Sequence, residues 1–466
     1  MHPTTGVRDR LLLAYSRGTN VTPLSPRERR WLVAIVLVAL ALRVWWVIYA
    51  TRPTQGLHDP LFYSVYGKSI AEGDGYRLVA GPSQGEPTAY YPVGYPAALG
   101  AVFWLMYHLP FGDNEPIAAA LFNLVLGVAT VALVFEVARR LFDTRVGLVA
   151  AGIVALYPNL IFHTALTLTE TLFNLVVMFA LAVLLWRPWT SPLGRGRLVL
   201  FGALIGFSAL VRPISLSFVP GLLVIWLIAG FGWRRSLHHL ALIAAGTVAV
   251  IAPWTVRNAI VMNSPVLIST NFGDNLCIGR HPGASGAFAV NLYATTPQDV
   301  DYCFHDLGDE TRPAYEIRRN DLTTDRALEY LREHPLDELR LLFWRAYYTF
   351  ESDTDGLDAA ESYREDRFIG TRTREVLETI ANFWYWSTSA LALLGMTFFL
   401  SRRDPRRPFF GVAMILLAVT PLIFFGDTRF HVPVLPPLSI AAAATIVTIR
   451  SNLAQIAVEP SEIDAI

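Results

Sequence analysis

Blocks of apolar residues alternate with short charged clusters along the chain. The apolar runs fall at about 31–50, 95–110, 117–138, 147–163, 168–186, 198–212, 214–232, 238–256, 380–400, 408–425 and 432–449. Stretches such as WLVAIVLVALALRVWWVIYA and IAAALFNLVLGVATVALVFEVA match the roughly 20 apolar residues that cross a bilayer core as helix. The pattern predicts an all-α polytopic membrane protein with roughly ten hydrophobic helices. Two polar segments interrupt it, at 51–94 and 257–379, and both are too long for tight turns.

Charge placement orients the pattern. Arginine near helix ends is retained in the cytoplasm, so Arg139, Arg140 and Arg145, Arg187 with Arg195 and Arg197, Arg234 with Arg235, and the RRDPRR run at 402–407 read as inside. The expected organisation is a cytoplasmic N-terminal segment at 1–30, a transmembrane module at 31–256 that includes the outer loop 51–94, an extracytoplasmic loop or small domain at 257–379, C-terminal transmembrane helices at 380–449 and a cytoplasmic tail at 450–466. Only the run at 95–110 breaks the alternation. It is short and opens with PVGYP, so it reads as re-entrant or half-length, unless one inside assignment fails. The first run follows PRERR too late, and is too long, for a cleaved signal sequence, and is read as a retained helix.

Composition agrees: 53% of residues are hydrophobic and 16% charged, against about 25% charged in soluble proteins. Lys+Arg and Asp+Glu are equal at 38 each, so no net field points to nucleic acid. Cys277 and Cys303 both lie in the second polar segment, where an oxidising compartment lets them pair; their spacing leaves two separate thiols equally open and does not resemble a zinc site. His163 and His305 have no ligand partners at suggestive spacing, so no metal site is assigned.

In the first outer segment, LHDPLFYSVYGKSIAEGDGYRL, Asp59 follows the first membrane helix, with Tyr63 after it at near-helical spacing. A carboxylate at a partly dry surface can serve as a general base. Alternatively, Asp59 caps a helix starting at Pro60. Arg212 in LVRPIS, Arg257 in PWTVRN, and Arg429 with His431 in GDTRFHVP are deep cations of the kind a phosphate leaving group needs, with snorkelling as the competing reading. Arg280 in the glycine-rich NFGDNLCIGRHPG is a further phosphate candidate from an outer loop. Tyr91, Glu170 and Asn271 are substrate-loop candidates, Glu170 also fitting a simple helix opening.

The run HDPLFYSVYGKSIAEGDGY followed by YYPVGYPAALGAVF resembles the first outer loop of the GT-C glycosyltransferases, in the branch with the protein O-mannosyltransferases and aminoarabinose transferases. The resemblance continues in order through RRLFDTRVGLVAAGIVALYPNLIFHTALTLTETLFNL, FGALIGFSALVRPISLSFVPGLL, APWTVRNAIVMNSPVLISTNFGDNLCIGRHPGASGAF and FGDTRFHVPVLPPLSIAAAA, about residues 55 to 445. It implies a GT-C-type helical bundle whose outer loops carry short helices. It also implies an inverting enzyme of the cell (inner or plasma) membrane, its site facing outside the cytoplasm. Such an enzyme takes a sugar from a polyprenyl phosphate and gives it to a hydroxyl on a protein, lipid or polysaccharide. Asp59 matches the family's acidic residue, and Glu86 in GEPTAYYP is the nearest second acidic candidate. No cofactor is fixed, and a divalent cation stays open because the resembling enzymes differ on it. The rival reading is a polytopic transporter or lipid flippase, but the two related halves common in transporters are not visible here.

Overall fold

The computed structural model describes residues 23–78, 83–109, 114–189, 193–288, 302–307, 311–363, 367–400 and 404–456. The expected cytoplasmic ends therefore fall largely outside the described residues. Seventeen α-helices are described, joined in places by short 3-10 turns: α1 Pro26–Ala50, α2 Asp59–Glu72, α3 Gly94–Tyr107, α4 Glu115–Leu141, α5 Thr144–Ala155, α6 Pro158–Phe162, α7 Glu170–Leu185, α8 Arg195–Val211, α9 Phe218–Ile228, α10 Trp233–Val261, α11 Phe272–Ile278, α12 Ala314–Glu333, α13 Pro335–Phe350, α14 Asp355–Ser362, α15 Thr371–Gly395, α16 Arg406–Val419 and α17 Leu435–Ile456. Among the described residues no β-strand forms beyond two isolated bridges.

Local chemistry sets several of these ends. At α1, Ser25 Oγ accepts from the Glu28 amide at 3.3 Å while the Glu28 carboxylate accepts from the Ser25 amide at 2.8 Å, a reciprocal cap with Pro26 in the first turn. Asn114 caps α4 through the Ile117 amide, and Asp143 caps α5 through the amides of Arg145 and Val146. Helix α5 stops before Tyr157-Pro158, because a residue ahead of proline leaves the helical region, and the chain bends by 60° into the 158–165 stretch. The fully buried Arg43 of α1 donates to the carbonyls of Val154 and Ala155 at that break. Inside a bilayer no water can do this, so a side chain satisfies the freed carbonyls.

Among the described residues six helices are long and apolar enough to cross a membrane, or seven if the bent 144–165 pair is one span. The chain is a multi-pass membrane protein. The number falls below the roughly ten expected because several apolar runs fold into shorter pieces, such as Glu170–Leu185 and Pro213–Ile228. The run at 95–110 becomes the 14-residue helix α3, about 21 Å long at 1.5 Å per residue, too short to span alone. It lies tightly on α2: a Cβ at Gly67 would stand 2.9 Å from Leu99, and one at Gly100 2.8 Å from Ile70. Glycine likewise lets α8 meet α10, since a Cβ at Gly202 would fall 2.0 Å from the Ile243 carbonyl oxygen.

The bundle has two chemically different ends. At one, Arg140 donates to the Trp186 carbonyl, Arg406 to Leu185 and Arg407 to Leu141, so arginines cover the C-terminal carbonyls of α4 and α7. At the other, the two polar segments pack together. The buried Glu316 of α12 accepts from Thr88 Oγ1 at 2.7 Å, the Ala89 amide at 2.8 Å and Thr270 Oγ1 at 2.6 Å. Within the second segment Cys277 and Cys303 form a disulfide that joins α11 to the 302–307 stretch.

Candidate active site

The polar end positions Asp59 from several directions. Helix α2 begins at Asp59 itself with His58 as its cap residue, and no side chain caps it. The reading of Asp59 as a helix cap is thus corrected: its carboxylate accepts from Tyr91 and Arg429 and from no α2 amide. Its Oδ1 accepts from the Tyr91 hydroxyl at 2.8 Å and its Oδ2 from Arg429 at 2.7 Å. Burial, reinforced by the Asp59 charge, pushes the Tyr91 phenol above its usual range, so it remains a donor.

Tyr91 is itself held. Arg257 donates to the carbonyls of Thr88 at 2.7 Å and Tyr76 at 2.6 Å, and the Tyr76 hydroxyl donates to the Tyr91 carbonyl at 3.0 Å. The Tyr90 hydroxyl donates to Asp274 at 2.7 Å, and Asp274 also accepts from Arg319. The 88–91 stretch is therefore clamped by the second polar segment on one side and by the last turns of α10 on the other. Tyr63 lies beneath, edge-on to Tyr91 at 5.2 Å and to Tyr95 at 5.6 Å.

Arg429 extends the site inward. It sits in the 3-10 turn Thr428–Val434, whose start is fixed by Asp427 accepting from the Arg429 amide at 2.8 Å. Besides Asp59 it donates to Glu170, the fully buried first residue of α7. Arg212, at the C-terminal end of α8, approaches the same Glu170 carboxylate to 3.1 Å as an ion pair. Two carboxylates and two guanidiniums thus form one cluster, with Glu170 further favoured by the amides of its helix N-terminus. Asp59 alone keeps a substantial open face, with 32% of its side chain exposed against 0% for Glu170 and 13% for Arg429.

A second polar cluster lies sealed nearby. Asn159 Nδ2 donates to Asp353 at 2.5 Å and to Asp355 at 2.6 Å, His163 Nε2 meets Asp355 at 2.9 Å, and His431 Nε2 meets Asp353 at 2.8 Å. Burial pushes the Asp353 carboxyl up; it opposes the charge of Asp355 too, but His163, His431 and Asn159 hold Asp355 at about 2. Sequence reading passed over Asp353, Asp355 and Asn159. Two aspartates one residue apart in a polar stretch read as solvated charge, and their histidine partners lie some 80 and 190 positions away.

The other candidates stand apart from the cluster of Asp59, Glu170, Arg212 and Arg429. Arg257 is committed to backbone carbonyls. Arg280 donates to the Ile423 carbonyl and to Glu338 at 2.6 Å. His431 is shared between the Thr349 carbonyl and Asp353. Asn271 opens α11 and accepts from Ser269 at 2.8 Å. Each of these four side chains makes hydrogen bonds within the protein. Glu86 is exposed on a turn closed by a bond from the Leu78 amide to its carbonyl, a solvated loop charge. Among the described residues no group of three His, Cys, Asp or Glu side chains is placed to hold a metal ion. The Arg429 guanidinium bridges the two site carboxylates.

Residues 96–256 match the family model of the dolichyl-phosphate-mannose-protein mannosyltransferases. No curated protein matches the chain. The apo oligosaccharyltransferase of Archaeoglobus fulgidus is similar in structure at a TM-score of 0.53 with 16% identity, over 91% of this chain and 51% of that one. The A. fulgidus oligosaccharyltransferase AglB in complex with an inhibitory peptide and a dolichol-phosphate gives 0.51 and 16%, over 93% and 52%. ArnT from Cupriavidus metallidurans bound to undecaprenyl phosphate gives 0.40 and 18%, over 93% and 81%. The chain spans about half the length of the oligosaccharyltransferase structures. The chain shares the fold of the A. fulgidus oligosaccharyltransferase structures, which are GT-C glycosyltransferases, and its residues 96–256 match the dolichyl-phosphate-mannose-protein mannosyltransferase family model.

Proposed function

We propose that the protein is an inverting glycosyltransferase that moves a sugar from a polyprenyl-phosphate donor to an acceptor hydroxyl at the outer face of the cell membrane. The observation that carries this reading is the half-open carboxylate of Asp59, gripped by Tyr91 and by an arginine that also holds the buried Glu170. Asp59 accepts the proton of the acceptor hydroxyl, and the oxygen attacks the anomeric carbon. The bond from that carbon to the phosphate oxygen breaks, and the electron pair leaves on the polyprenyl phosphate. Arg429 and Arg212 stand where that charge gathers, and charge-assisted hydrogen bonds from preorganised donors are the main way such a leaving group is stabilised. Glu170 keeps the two guanidiniums in place before the donor arrives.

The outward placement of the site has three supports. The segments 51–94 and 257–379 meet at one end through Glu316. The second contains a disulfide, which persists in oxidising compartments. The opposite end gathers Arg140, Arg406 and Arg407, as the cytoplasmic side of a membrane protein does. The dolichol-phosphate and undecaprenyl phosphate bound by the neighbours favour a polyprenyl-linked donor. The acceptor peptide tethered to an A. fulgidus oligosaccharyltransferase favours protein among the acceptor classes, beside lipid and polysaccharide.

The test uses purified protein in lipid nanodiscs with radiolabelled polyprenyl-phosphate sugars and extracted cell-envelope acceptors. Transfer by the wild type and its loss in a folded Asp59→Asn variant are expected. Lipid translocation without transfer would put the transporter reading in its place. Labelling by a membrane-impermeant thiol reagent after reduction, from the cytoplasmic side alone, would reverse the orientation.

A further inference from the structure

The sealed cluster takes no part in the chemistry just described, yet it touches both segments that carry the inner charges of the site. His163 lies in the 3-10 turn His163–Ala165, seven residues before Glu170. His431 lies in the same 3-10 turn as Arg429, two residues on. Neither Glu170 nor Arg429 stands in the middle of a regular helix: one opens α7 and the other precedes α17. Irregular backbone at membrane depth keeps its shape only where protein groups satisfy it.

We propose that Asp353 and Asp355, with Asn159, His163 and His431, form a positioning staple that fixes Glu170 and Arg429, so that Arg429 and Arg212 meet the donor phosphate. The inference rests on the sugar-transfer reading for its consequence, and on geometry for its form. Asn159 is the centre of the staple. Its amide nitrogen donates to both carboxylates, while its Oδ1 accepts from the Gly356 amide at 3.0 Å. No other side chain of that size offers two donors and an acceptor at once. Gly356 is fitted to it as well, since a Cβ there would stand 2.6 Å from Asn159 Oδ1. His431 meets two acceptors, the Thr349 carbonyl at 2.6 Å and Asp353 at 2.8 Å, so the His431–Asp353 pair holds one proton more than a neutral ring beside a carboxylate. A purely apolar filling would stabilise the fold as well as a buried charged cluster does. What the cluster adds is direction: it ties the stretch between α13 and α14 to α6 and to the turn before α17.

Asn159→Asp tests this because it replaces the shared donor with a third carboxylate. The groups facing that position are Asp353 and Asp355, with His163 and His431 beyond them, Tyr157 and Tyr385 beside Asp353, and Glu170 and Arg429 on the far side of His163. At neutral pH the folded variant is expected to show a KM for the polyprenyl-phosphate donor raised by about tenfold or more. Binding of undecaprenyl phosphate in nanodiscs should weaken in parallel. Near pH 5, roughly where a crowded carboxyl regains its proton and can donate to one of the two aspartates, both should recover in part relative to wild type. Asn159→Leu should lose donor binding at both pH values. Gly356→Ala, uncharged and milder, should weaken binding without pH rescue, and keeps the test open if Asn159→Asp does not fold. Unchanged donor KM and binding in folded Asn159→Asp, or equal losses at both pH values, would overturn the staple. If the wild type itself neither transfers sugar nor binds undecaprenyl phosphate, the functional reading fails separately. The structure of Asn159→Asp then decides: a retained contact of Arg429 with both Asp59 and Glu170 at neutral pH overturns the staple, and its displacement supports it.

Discussion

Asp59 keeps 32% of its side chain exposed, whereas Asp353 and Asp355, with 0% and 8% of their residue surface accessible, are closed in by histidines and an asparagine amide. Both regions pair carboxylates with nitrogen donors, and both lie at the same end of the bundle. The open cluster leaves one carboxylate face free for a substrate, at the cost of relying on its neighbours for geometry. The sealed cluster has no free face and can only transmit geometry. On the proposed function, the accessible carboxylate does the chemistry and the enclosed cluster directs it.

The comparison breaks first at Asp59. Asp59→Asn should lower sugar transfer by about 10²- to 10⁴-fold, the range for removing a general base, while a melting curve in detergent stays near wild type. A wild-type rate from the folded variant would remove Asp59 from the mechanism. Next comes Glu170→Gln, which leaves Arg429 and Arg212 sharing one neutral partner. Because one charge of a buried network is removed, thermal unfolding should register a loss of about 3 kcal/mol, together with weaker donor binding. Unchanged stability would mean that the buried pairs are solvated in a way the geometry does not suggest.

Acid sharpens the contrast. A carboxyl depressed from about 3.9 in the unfolded chain contributes stability above that value and loses it as the pH falls through its folded value. For Asp355 the folded value is about 2. Acid unfolding followed by intrinsic fluorescence should thus show a component between these values that is missing in Asp355→Asn. The smallest effect is expected at the exposed turn: Glu86→Gln should leave transfer and donor KM within about twofold of wild type. A large loss there would restore Glu86 as the second acidic residue of the site.

The membrane character was legible without any structure, because burying a helix in hydrocarbon demands some twenty apolar residues in a row and leaves an unmistakable pattern. The polar segments, their two cysteines, Asp59 and the deep arginines stood out for the same reason, as departures from that pattern. The sequence also let Glu170 be noticed, though only as a residue opening an apolar run. What it did not contain was who meets whom. Arg429 and Asp59 are 370 positions apart, and Glu170 and Arg429 are 259.

Tertiary structure decided which arginines were committed to backbone carbonyls and which reached a carboxylate, a choice made by packing rather than by local spacing. It turned Asp59 from a conceivable helix cap into an open carboxylate held by Tyr91 and Arg429, and turned Asp353 and Asp355 from ordinary loop charges into the centre of a buried network. Apolar periodicity is a one-dimensional property and survives in the sequence. Hydrogen-bond partnership depends on three-dimensional closure between distant segments, and only the folded chain contains it.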